Sequence, residues 1–104
     1  MITVVVQIKL SNAITLEKAT GLFSSTAQKY RDTPGLIRKY YLLSEDGGTF
    51  GGVYLWESRE AADQLYSAEW RQYITDTYGS EPSVTYFESP VIVDNLSGNI
   101  ITDD

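Results

Sequence analysis

The chain has 104 residues, 42% of them hydrophobic and 21% charged, which is the size and composition of one globular domain with a single small core. It contains no cysteine and no histidine, which excludes disulfides, thiol catalysis, a Ser-His-Asp triad, a HExxH zinc site and histidine-ligated haem. A net charge of −6 with eight scattered Lys and Arg opposes nucleic acid as a partner. No apolar run approaches the ~20 residues of a membrane span, and residues 2–6 are too short for a signal-peptide core, so a cytoplasmic location is expected.

Ile2, Val4, Val6, Ile8 and Leu10 alternate with more polar neighbours, which predicts a strand buried on one face. Thr15 suits a helix N-cap, and Leu16, Ala19, Phe23, Ala27 and Tyr30 then recur at steps of three and four. The segment Asp32-Thr33-Pro34-Gly35 stops that helix. Residues 36–44 and 50–57 read as a hairpin of strands around the turn Glu45-Asp46-Gly47-Gly48, which lacks the ligand spacing of a calcium loop. Ser58 caps a second helix carrying Ala61, Ala62, Leu65 and Tyr66. A helical stretch with Trp70, Tyr73, Ile74 and Tyr78 ends at Gly79, either as a bend of the second helix or as a third. Residues 84–94 read as a fourth strand, with Pro90 marking an edge position or a bulge, and 95–104 as a polar tail with one apolar pair, Ile100 and Ile101.

The order β-α-β-β-α-β predicts a single α+β domain over 1–104, a ferredoxin-like four-stranded antiparallel sheet with helices on one face. Strands two and three nevertheless carry apolar or aromatic residues on both parities, so the uncovered face calls for a second cover. A second copy of the same sheet is the simplest supplier, which predicts a homodimer.

Three segments carry a resemblance: Pro34-Gly35-Leu36-Ile37-Arg38-Lys39-Tyr40-Tyr41-Leu42, then Gly51-Gly52-Val53-Tyr54-Leu55-Trp56-Glu57-Ser58-Arg59-Glu60-Ala61-Ala62, and Tyr86-Phe87-Glu88-Ser89-Pro90 with Val93-Asp94-Asn95. In this combination and register, over about residues 30–95, the chain resembles the YdhR-like monooxygenase family, a branch of the dimeric α/β barrel superfamily related to antibiotic biosynthesis monooxygenases. The resemblance implies two ferredoxin-like sheets packed face to face as a dimeric α/β barrel, a pocket between each sheet and its helices, and a chain that reaches the partner subunit beyond residue 94. It also implies cofactor-independent oxidation of a small aromatic or quinol-like compound. Relatives in the superfamily include haem-degrading enzymes, and the absence of histidine departs from them.

Candidate site residues cluster on strands two and three. Lys39, Tyr54 and Trp56 are the candidate catalytic residues, with Arg38, Tyr40 and Tyr41 beside them for substrate. Aromatic rings give flat apolar walls for an aromatic ligand, and Lys39 or Arg38 can stabilise a phenolate or enolate. In such chemistry the substrate anion itself reduces dioxygen, so no cofactor is expected. The bland alternative makes these rings dimer-interface core and leaves the two cations exposed or ion-paired. Trp70 and Tyr73 are candidates at a pocket mouth, or plain packing; Asn95 is a candidate ligand-positioning residue, or part of a strand-ending Asx turn. Two other functions fit the same pattern: a non-catalytic small-molecule-binding or stress-response dimer, and an isomerase with Lys39 or a buried carboxylate as base.

Overall fold

The computed structural model describes residues 1–103. Ile2, Val4, Val6 and Ile8 are buried on one side of β1 (Ile2–Lys9), and β1 is central because both its edges are paired. It lies antiparallel to β3 (Thr49–Trp56) on one edge and to β4 (Ser83–Glu88) on the other, and β2 (Leu36–Leu43) completes the order β2-β3-β1-β4. This is the antiparallel ferredoxin-like sheet that the element order predicts.

Helix α1 (Leu16–Arg31) begins at Thr15, whose side chain accepts from the Lys18 amide. Its buried stripe is narrower than the spacing suggests. Ala19 is fully buried and Phe23 and Tyr30 pack on the core, but Leu16 lies in the first turn and is 71% exposed. The second helical region is two helices, α2 (Arg59–Leu65) and α3 (Ala68–Tyr78), each started by a serine, Ser58 and Ser67. Gly79 closes α3 in the left-handed conformation.

The expected long fourth strand is divided. β4 stops at Glu88, and the chain leaves the sheet at Ser89-Pro90, where proline has no N–H for the ladder. β5 (Val91–Asp94) then pairs with β6 (Asn99–Thr102), so the expected polar tail is a β-hairpin. The Asp94 carboxylate accepts from the Leu96 amide and Gly98 takes a positive φ, which closes the turn between them. The base of the hairpin is tied to the start of β1 by an ion pair between the Met1 ammonium and Asp103, and Asp94 lies within electrostatic reach of Arg38. The chain extends 43 Å along its longest axis, and its radius of gyration of 14.6 Å exceeds the ~13 Å of a compact domain this long.

The core lies between the sheet and the helices. Trp56 is fully buried there and its indole N–H donates to the Tyr66 hydroxyl at 3.1 Å. Two of the recognisable sequence segments meet at its edge. Gly35 has a φ of +79°, and a Cβ on it would stand 2.4 Å from the Ala61 Cβ. Its carbonyl accepts from the Glu57 amide, tying the start of β2 to the end of β3. Gly35→Ala is therefore expected to cost about 2 kcal/mol or more, from left-handed strain plus the collision with α2, measured as a lower midpoint in urea.

Candidate active site

Between the inner face of the sheet and the helices the side chains leave a cavity, about 650 Å³ with its open mouth included. Its walls are largely rings. Phe23 of α1 stacks on Tyr41 of β2 at 4.8 Å between centroids, and Phe50 of β3 meets Tyr78 of α3 edge-on at 4.8 Å. Tyr30 stands edge-on to Tyr54 at 6.1 Å, and Trp70 and Tyr73 close the α3 side. Thr26 fixes the far end of Tyr41 through a 2.7 Å hydroxyl contact.

Lys39 enters this ring-lined space because of an irregularity in β2. The register with β3 slips between Leu36 and Arg38, so that Leu36 lies opposite Trp56 and Lys39 opposite Tyr54. In a regular strand, residues three apart point to opposite faces; the extra residue turns both inward. Gly52 of β3 supplies the room. A Cβ there would stand 3.1 Å from Cε1 of Tyr54 and 3.2 Å from Cε of Lys39. The ammonium then sits 3.5 Å from the Tyr30 ring centroid, 3.9 Å from that of Tyr41 and 4.6 Å from that of Tyr54. Among the described residues Lys39 forms no ion pair.

Burial, reinforced by the like charge of Lys29, lowers the Lys39 pKa to about 7. The three ring faces attract the ammonium and partly offset that loss of water. Burial pushes the Tyr54 phenol far above its ordinary value, so Tyr54 stays protonated and serves as a donor. Burial also raises Tyr30. A second, more open hollow of about 500 Å³ lies beyond, lined by Ala27, Arg31, Leu36, Ile37 and Arg38. It shares Tyr30, Lys39 and Tyr41 with the first, so Lys39 stands in the wall between the two.

The structure thus brings Lys39, Tyr41, Tyr54, Trp70 and Tyr73 together at one cavity. It separates the others from it. Trp56 lies in the core and reaches the cavity only through Tyr54, on which it stacks at 6.3 Å. Arg38 touches the outer hollow, and its guanidinium donates to the Tyr40 hydroxyl at 3.3 Å. Tyr40 itself is on the outer face of the sheet and is exposed, and Asn95 lies in the exposed turn between β5 and β6. Sequence reasoning missed Phe23, Tyr30, Lys29, Phe50 and Tyr78. Phe23 and Tyr30, seven apart on the apolar stripe of α1, were the available signal, since that stripe must face the sheet.

An antiparallel sheet with helices on one face is the ferredoxin-like fold of the antibiotic biosynthesis monooxygenases. The family described as "Putative mono-oxygenase ydhR" matches residues 4–89, and the chain belongs to it. Similar solved structures include the monooxygenase ActVA-Orf6 of Streptomyces coelicolor in complex with nanaomycin D, 23% identical over 85% of this chain and 86% of that one, with a TM-score of 0.64. SnoaB of Streptomyces nogalater, a cofactor-independent oxygenase, is 19% identical over 85% and 91%, at 0.60. Rv0793 of Mycobacterium tuberculosis is 18% identical over 85% and 93%, also at 0.60. No curated protein matches the chain.

Because the folded chain disfavours the Lys39 ammonium, the unfolded chain binds more protons between about pH 7 and 10.5, and this contribution to stability rises with pH across that window. Lys39→Met removes it. The variant is expected to be more stable than the wild type by about 2 kcal/mol at pH 6, after discounting for partial exposure, with the gap narrowing by pH 9. Parallel urea titrations at the two pH values measure this; a gap that does not depend on pH would mean that Lys39 keeps an ordinary pKa.

Proposed function

We propose that the chain is a cofactor-independent monooxygenase that oxidises a small hydroxylated, quinol-like aromatic compound in the cavity over Lys39. The observation that carries this reading is an amine without an ion-pair partner among the described residues, its pKa held near neutrality at the floor of a ring-lined cavity. Neutral Lys39 takes the phenolic proton on Nζ, and the resulting ammonium holds the phenolate. The phenolate is electron-rich at its para carbon and passes one electron to dioxygen. The radical pair joins as a C–O bond, giving a ring peroxide anion, which takes the proton from the Lys39 ammonium and becomes a hydroperoxide. Neutral Lys39 then removes the hydrogen on that carbon as a proton, the O–O bond breaks, and the expelled hydroxide takes that proton as water. One hydroxyarene and one dioxygen become one quinone and one water. Tyr54 donates a hydrogen bond to the peroxide oxygen, while Tyr41, Trp70 and Tyr73 clamp the substrate rings and keep water out. Trp56 acts as a positioning residue behind Tyr54.

The same neutral amine suits a proton-transfer isomerase, which would consume no oxygen, and a binding protein would show ligand-dependent thermal stabilisation without turnover. With 1-naphthol, the oxygenase reading expects oxygen uptake and one atom of label from 18O₂ in the naphthoquinone. Lys39→Met should lower the rate at least about a hundredfold, the usual worth of a general base. The rate should rise with pH to a plateau above about 7, where the base is neutral. Uptake untouched in Lys39→Met would remove Lys39 from the chemistry.

The assembly in this reading is a homodimer through the outer face of the sheet. Tyr40, Leu42 and Phe87 are exposed there, Val5, Val53 and Leu55 are half-buried beside them, and the described helices lie on the other side. The β5–β6 hairpin, with Val91, Val93, Leu96 and Ile100 exposed, is suited to reach the partner. A native mass spectrum should show the dimer, and Val53→Glu in the middle of the face should give the monomer. A wild-type monomer at a concentration on the order of 50 µM, above the micromolar weak limit of a standard-size interface, would refute the assembly.

A further inference from the structure

The charge around the two cavities is opposite to that of the chain. The protein carries −6 overall, yet four of its eight cations, Lys29, Arg31, Arg38 and Lys39, line the cavities, and no Asp or Glu among the described residues lines either one. Lys39 is the half-buried member, at the floor. Lys29 is the exposed member on the same cavity, carried to its rim by the last turn of α1. Its ammonium lies 5.9 Å from both the Tyr30 and the Tyr73 ring centroids and forms no ion pair among the described residues. Both lysines lie against the Tyr30 ring, 3.5 and 5.9 Å from its centre, so no more than about 10 Å separates them, about one screening length at 0.1 M salt.

Two cations held this close without a carboxylate repel each other and leave an unfilled demand for negative charge. One phenolate over Lys39 answers only half of it. The rings between the lysines accept a flat hydrocarbon, and the rim lysine, next to solvent, is placed for an anion on the far end of that hydrocarbon. We propose that the cavity selects aromatic acids: hydroxyarenes whose carboxylate pairs with Lys29 while the hydroxyl meets Lys39. Lys29 is then a specificity residue, and it also acts on the base. While its charge is bare it opposes the Lys39 ammonium; once paired with a substrate carboxylate it opposes it less, so the right substrate makes Lys39 the stronger base. The inference rests on the oxygenase reading for the role of the hydroxyl, but not for the binding of the acid.

The test compares 5-hydroxy-1-naphthoic acid with its methyl ester, by quenching of Trp and Tyr fluorescence in anaerobic buffer at low salt. The wild type should bind the acid about two- to fivefold more tightly than the ester, the scale of one exposed ion pair, and added salt should shrink the ratio. In Lys29→Gln the ratio should fall to about one; Lys29→Arg should restore it. Lys18→Gln, which removes an equal charge from the same helix away from the cavity, should leave the ratio intact. A wild type without the preference, a preference that survives Lys29→Gln, or failure of both compounds to bind would each overturn the proposal. Admitting air then tests the oxygenase reading separately: a Lys29-dependent preference without oxygen uptake would keep the acid site and discard the oxygenase.

Discussion

The layer between sheet and helices is built from rings, and the rest of the molecule follows from the way rings pack. Aliphatic side chains interdigitate and close the gaps between layers, whereas flat, stiff rings meet edge to face and leave wedges between them. At one end of the sheet the packing closes: Val4 and Trp56 are fully buried, and the Trp56 indole N–H donates to the Tyr66 hydroxyl. At the other end Phe23, Tyr30, Tyr41, Phe50 and Tyr78 hold the layers apart around open space. Core and cavity are therefore one continuous aromatic layer, and Tyr54 belongs to both, touching Trp56 on one side and Tyr30 on the other.

Into that layer the chain puts one amine, at a cost in stability. A methionine of similar length would fill the place of Lys39 without desolvating a charge, so the lysine is not explained by folding. Three local departures from regular structure serve it: the slipped register ahead of Arg38 aims it, Gly52 clears its path, and three tyrosine faces receive its ammonium. Devices of this kind, unfavourable alone and mutually dependent, concentrate where a protein acts on something other than itself.

The order of elements was legible because each carried its own local signal. Period-two alternation marked β1, Thr15 and Ser58 marked the starts of α1 and α2, and Asp-Gly-Gly marked the β2–β3 turn, where the Asp46 carboxylate accepts from the Gly48 amide. Lys39, Tyr41 and Tyr54 were legible as candidates from their chemistry. Their separation from Arg38 and Tyr40 was not, because Leu36 and Ile37 are both apolar and a one-residue slip between them leaves no trace in the hydrophobic pattern. The β5–β6 hairpin was hidden for a related reason. Four residues around Ile100 and Ile101 are too few to display a period, and Pro90 alone does not tell a bulge from a departure. The distance of Trp56 from the cavity was not legible either, because residues that share a strand face need not share a neighbourhood: the same face of β3 passes from cavity at Phe50 to closed core at Trp56.

That shared parity also ties the proposed chemistry to the proposed assembly. From Arg38 onward β2 alternates between Lys39, Tyr41 and Leu43 inside and Arg38, Tyr40 and Leu42 outside. A register shift of one residue would exchange the two sets, putting a charged, exposed set into the cavity and the cavity base on the outer face. The slip next to Ile37 thus fixes both surfaces at once, and neither can drift in evolution without disturbing the other. Arg38 sits where the two meet, bonded to Tyr40 on the outer face while bordering the hollow behind Lys39. A second subunit laid on Tyr40 and Leu42 would stiffen the strand that carries the base. In the proposed assembly the second subunit would thus help to hold the amine in place as well as cover apolar surface.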